Sequence, residues 1–198
     1  MKVKDLVLYQ IATDRYYKVG DKLTFGKELN FQGQRVLNGA KLENRRSYDD
    51  GYDFVDGKLK VKSKDLILKH SKILEEYDFI IRELAFEKVR KEKYSQYPSR
   101  LTCMYLTDNK EACISNLKKF HNKGHGTFFQ AIAVKLNGDI FYSTVEHVSR
   151  DGLNFNSYIE KAEKYWAQPQ NTNIASNEIL FEGAAEVIEI FEEYIHKR

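Results

Sequence analysis

Two apolar runs flank Asn137-Gly138, and this stretch constrains the fold more than any other. Phe128 to Leu136 alternates on one side, and Asp139 to Val148 follows on the other. A two-residue type I′ turn needs positive φ at both central positions, and Asn-Gly supplies that with least strain. The pattern predicts an antiparallel hairpin over 128–148. With helical periodicity elsewhere, it points to an α+β chain.

The remaining chain divides by period. Residues 3–12 read as a first strand, with Gln10 set among apolar neighbours. Residues 13–65 lack clear periodicity and are too long for a structureless loop, so short elements are expected there. From about Asp65 to Lys93 the spacing is helical. Ile73, Leu74, Tyr77, Ile80, Ile81 and Leu84 form one apolar face, which is expected to be the buried one, with Arg82 and Glu83 opposite. Pro98 ends this region, and Arg100 to Leu106 reads as a strand. A helix over 109–121 follows, with Asp108 or Asn109 as cap. Residues 154–167 form a helix burying Tyr158, Ile159, Ala162, Tyr165 and Trp166, and Asn177 to Gly183 form a short strand. The tail from 185 fits either a helix or a strand.

Length and composition narrow the class. With 198 residues, 42% hydrophobic and 31% charged, the chain is expected to fold as one domain over 1–198. No apolar run approaches the ~20 residues needed to span a bilayer. Cys103 and Cys113 lie on a predicted strand and the next helix, so no disulfide is expected and a cytoplasmic setting fits. Residues 1–72 hold 16 Lys/Arg against 10 Asp/Glu, whereas 73–198 hold 16 against 19. The basic half suits a phosphate-bearing partner or is simply a solvated surface. Lys58, Lys60, Lys62 and Lys64 would share one face if their segment were a strand.

No Gly-x-Gly-x-x-Gly, Walker loop or Gly-x-Ser-x-Gly elbow is present. His121 and His125 have metal-like spacing, but Gly124 and Gly126 break the helix such a site requires, so no metal is expected. Three segments combine unusually: Leu8-Tyr9-Gln10, Pro98-Ser99-Arg100-Leu101-Thr102 and Glu178-Ile179-Leu180-Phe181-Glu182-Gly183. Each alone reads as an edge strand, a turn or a solvated face.

In this order, together with Asn137-Gly138 and Ala162-Glu163-Lys164-Tyr165-Trp166, they resemble the ADP-ribosyltransferase-like fold, in particular a bacterial domain-of-unknown-function branch. The resemblance covers most of the chain. It implies a split antiparallel sheet around an NAD cleft with packed helices, and transfer of ADP-ribose from NAD to a nucleic acid or protein with release of nicotinamide. It also implies Glu178 as the catalytic acid, with Glu182 and then Glu186 as rivals. Tyr9, Gln10, Ser99, Arg100, Thr102 and Tyr105 would bind NAD, with Tyr97 and Tyr142 as further stacking candidates. Gln10 stands where His-type transferases carry His, and it can hydrogen-bond without a charge. Such a protein could answer to an antitoxin or another regulatory protein. A catalytically silent binder of the same fold and a plain nucleic-acid-binding module are the alternatives.

Overall fold

The computed structural model of the protein describes residues 1–13, 15–37, 52–55, 58–61, 63–122, 128–149, 154–167 and 177–195; over 52–73 and at residue 177 it describes the backbone only. In chain order these residues form β1 (Lys2–Thr13), β2 (Lys22–Phe25), α1 (Phe31–Leu37), β3 (Tyr52–Val55), β4 (Lys58–Val61), α2 (Ser63–Lys93) and β5 (Met104–Leu106). Then come α3 (Lys110–Asn122), β6 (Phe128–Thr144), a 3-10 turn (Val145–Val148), α4 (Phe155–Ala167) and β7 (Asn177–Ile195). The class is α+β. Five strands build one antiparallel sheet in the order β1-β6-β7-β2, with β5 pairing β7 beside β2. No helix among the described residues is long and apolar enough to cross a membrane.

The hairpin expected at Asn137-Gly138 does not form. β6 passes straight through both residues, pairing Asn137 with Ala184 and Gly138 with Gly183 on β7. Gly138 serves close approach instead of a turn: a Cβ there would lie 2.2 Å from the Glu182 carbonyl oxygen and 2.8 Å from Gly183 Cα. Gly183 itself sits at φ +140°. Asn137 is engaged on the other edge, where its Oδ1 accepts the Asp5 N–H at 3.1 Å and Asp5 adopts φ +54° at an irregularity in β1. The turn preference is local and weak beside a ladder that continues for the full length of β6. β3 and β4 pair antiparallel in a separate two-stranded sheet, with Val55 against Lys58.

The tail from 185 is strand, because β7 extends to Ile195 against the first half of β6. Leu8, Met104, Leu106, Ile132, Val134 and Phe181 are buried on the sheet's inner face. On the outer face α2 and α4 cover Phe141 and Leu180 through Phe86, Val89, Tyr165 and Trp166. α3 covers Phe129 and Ala131 with Cys113 and Leu117. Asn109 caps α3 as the sequence predicts, its Oδ1 accepting the Ala112 N–H at 2.7 Å, and Asn154 caps α4, its Oδ1 accepting the Ser157 N–H at 3.0 Å.

α2 packs on the face opposite to the one expected. Phe79, Arg82, Glu83, Phe86 and Val89 are buried, whereas Leu74, Tyr77, Ile81 and Leu84 are exposed. Its inner face tolerates charge because each charged group there has a partner. The strand expected from Arg100 is also shorter, as Arg100 to Cys103 curl in a turn in which Ser99 O accepts the Cys103 N–H at 2.9 Å. The four lysines at 58–64 do not share a strand, since β4 ends at Val61 and α2 begins at Ser63. Gly124-His125-Gly126 and Pro169 lie outside the described residues.

Candidate functional site

Between α2 and β7 the turn at residues 99–102 is held by four carboxylates. Glu83 and Glu87 sit one helical turn apart on α2, and Glu178 and Glu182 share one face of β7. Arg100 is their centre. Its Nε donates to Glu83 Oε2 at 2.9 Å and its Nη2 to Glu83 Oε1 at 3.2 Å. Its Nη1 donates to the Tyr165 hydroxyl at 2.9 Å and forms an ion pair with Glu178. Tyr165 donates in turn to Glu178 Oε2 at 2.5 Å. Arg82 supplies Glu83 with a second cation at 2.6 Å. Ser99 Oγ donates to Glu87 at 2.8 Å, while Ser99 N–H and Thr102 Oγ1 both donate to Glu182 Oε1, at 2.9 and 2.6 Å.

Electrostatics follow from burial and charge together. Burial pushes the Glu83 carboxyl up, yet Arg100 and Arg82 outweigh it and hold the group below the usual carboxylate range. Burial opposes the charge of Arg100, and Glu178 and Glu83 overcome that to keep it firmly protonated. Burial raises the Tyr105 and Tyr165 hydroxyls and the Cys103 thiol well above their ordinary values.

A second feature lies on the other side of Tyr105. Tyr9 and Thr107 exchange both backbone hydrogen bonds at 2.9 Å, which ties β1 to the residue after β5. Beyond that bridge the two segments part, and a cavity of about 710 Å³ lies between Gln10–Thr13 and Cys103–Tyr105. Phe25, Asn30 and Gln32 are among its other walls. Strand alternation turns the backbone N–H and C=O of Ile11 to the same edge as those of Tyr9, toward this gap. The Gln10 side-chain oxygen is buried and has no hydrogen-bond partner among the described residues. Such an acceptor is suited to a ligand donor or an ordered water.

The structure therefore brings Ser99, Arg100, Thr102, Tyr105 and Glu178 together and sets Gln10 apart from most of them. Gln10 lines the cavity, whereas Arg100 and Glu178 do not. Tyr105 joins the two regions: it borders the cavity, and its hydroxyl lies 2.7 Å from Arg100 O and 2.9 Å from Gln32 Oε1. Tyr9 points away from Gln10, edge-on to Phe191 at 5.8 Å. Tyr97 packs on Phe141 at 4.4 Å, Tyr142 packs against the inner core, and Glu186 lies 3.4 Å from Lys135. Sequence reasoning missed Glu83, Glu87 and Tyr165. The available signal was two acids four residues apart, flanking Phe86 on a helix that is otherwise apolar at Phe79 and Val89. Among the described residues no group of three or more His, Cys, Asp or Glu is placed to hold a metal ion.

Residues 8–193 match a family described as "Protein of unknown function (DUF2441)". No curated protein matches the chain.

Proposed function

The chain belongs to the DUF2441 family, and we propose that it is an NAD-dependent mono-ADP-ribosyltransferase holding the dinucleotide in the cavity where β1 and β5 part. The carrying observation is the buried, unpartnered Gln10 oxygen in the wall of that cavity. A volume of about 710 Å³ falls in the range of small-molecule sites. Amide side chains and Phe25 offer the mixture of hydrogen bonds and flat apolar surface that a nucleotide uses. Of the segments carrying the resemblance, Leu8-Tyr9-Gln10 reaches the cavity through Gln10, and Cys103 to Tyr105, next in the chain after Pro98-Ser99-Arg100-Leu101-Thr102, form its opposite wall.

Cleaving the bond between nicotinamide and ribose builds positive charge on the sugar, as in glycoside cleavage. A carboxylate fixed beside the ribose stabilises that state more than the ground state. The resemblance assigns this role to Glu178. The ribose must extend from the cavity past Tyr105 to reach it, because Glu178 stands outside the cavity wall on the sheet face of Leu180. To act, it must leave Arg100 and Tyr165, and Glu83 remains as a counter-charge for Arg100 when it does. The acceptor is a nucleic acid or a protein.

The pairing of Glu178 with Arg100 and Tyr165 favours a second reading, a catalytically silent nucleotide binder. Incubation with NAD and chromatographic detection of free nicotinamide, with calorimetry of NAD binding, separates the two. Nicotinamide release supports the transferase, and binding without release supports the silent binder. Neither binding nor release rejects both.

A further inference from the structure

Among the described residues, one apolar stripe on α2 is exposed. Leu74, Tyr77, Ile81 and Leu84 recur at i, i+3, i+7 and i+10, and they are 67%, 61%, 37% and 40% exposed. Scattered apolar residues on a surface are ordinary, but a seam at heptad spacing on one helix is the pattern of a helix that packs on another. The next two positions of the seam are Lys88 and Lys91, so it is apolar toward its N-terminal end and basic toward its C-terminal end. Glu75 flanks the apolar part. Lys88 and Lys91 face Glu92 and Glu87 on their own helix, and such exposed pairs are weak enough to exchange partners.

We propose that this face binds a second copy of the chain, α2 against α2, antiparallel about a twofold axis midway between Ile81 and Leu84. That axis sets Ile81 of each copy against Leu84 of the other at the centre of the contact. Tyr77 then meets Lys88, a ring beneath an ammonium group, and Leu74 meets the stem of Lys91. Glu75 comes beside Lys91 of the other copy. A parallel pairing would instead stack Lys88 on Lys88 and Lys91 on Lys91, so charge selects the antiparallel arrangement. Because the interface is isologous, each contact is made twice. Four partly exposed side chains bury less than the ~800 Å² per partner of a standard interface, so association is weak and depends on concentration.

Sedimentation velocity of the full chain from low to high micromolar concentration tests this. A monomer–dimer equilibrium is expected, and Leu84→Lys or Ile81→Lys should leave only monomer while circular dichroism and melting stay unchanged. Glu75→Lys and Lys91→Glu should each raise the dimer Kd severalfold, and combining both in one chain should restore it, because the swap reverses both halves of the contact. A monomer at every concentration, or a dimer indifferent to Leu84→Lys and Ile81→Lys, overturns the proposal. Failure of the double variant to regain the affinity lost by the single ones overturns the antiparallel register.

Discussion

Arg100 and Glu83 form a two-point ion pair, Nε to Oε2 at 2.9 Å and Nη2 to Oε1 at 3.2 Å, with only 2% and 0% of their side chains exposed. Nothing about either residue taken alone announces this. Arg100→Ala leaves Glu83 buried with Arg82 as its remaining cation, and breaking a buried pair from one side costs about 3–5 kcal/mol. Denaturant unfolding should show a loss of that size. Arg100→Lys should restore little, since an ammonium cannot span two carboxylates as the guanidinium fork does. A variant with an unchanged midpoint would show that the pair does not hold the turn in place.

The same pair sets a pH dependence. The folded-state pKa of Glu83 is lowered by Arg100 and Arg82 against the opposing effect of burial. Its contribution is therefore fully present above the unfolded value, about 4.3, and is lost as pH falls through the lower folded value. Urea midpoints should drop steeply below about pH 4 in the native protein. Glu83→Gln should be less stable at neutral pH and should show a shallower acid limb. Equal acid slopes in the two proteins would assign the acid loss to other carboxylates.

Glu178 and Glu182 separate by role. Glu178→Gln keeps size and removes charge, so on the transferase reading it should cut nicotinamide release by roughly 100-fold or more with NAD affinity nearly unchanged. Glu182 holds the 99–102 turn through Ser99 N–H and Thr102 Oγ1, and Glu182→Gln should weaken those charge-assisted bonds. Its main effect should be about 1–3 kcal/mol of stability. Turnover that survives Glu178→Gln but not Glu182→Gln would move the catalytic assignment two residues along β7.

Gly138 and Gly183 oppose each other in the β6–β7 ladder. Gly138→Ala places a methyl group 2.2 Å from a backbone oxygen, so the strands must separate. A cost of at least ~1–3 kcal/mol is expected, read as a lower Tm in thermal unfolding. A Tm equal to that of the native protein would mean that the ladder yields there without strain.

Local sequence determined much of the secondary structure. The first strand is legible from its run of apolar residues, although its ladder partner, β6, is distant in the chain. The helices around 63–93, 110–122 and 155–167 and the caps at Asn109 and Asn154 are decided by interactions within a few residues. The buried set Tyr158, Ala162, Tyr165 and Trp166 on α4 was legible for the same reason. Of the candidate site, the grouping of Pro98-Ser99-Arg100 with Glu178 was visible as motifs, but the partners of Arg100 were not.

Tertiary structure decided the rest. Asn137-Gly138 would turn in isolation, but β7 supplies a partner strand some 45 residues downstream and the backbone runs on through it. α2 carries a conspicuous apolar stripe, yet it buries Arg82 and Glu83 instead, because the two pair with each other and Arg100, itself paired with Glu178, arrives to neutralise Glu83. A charged side chain enters a core only when its counter-charges are already placed there, and those counter-charges come from a turn and a strand that the fold must first bring to the helix.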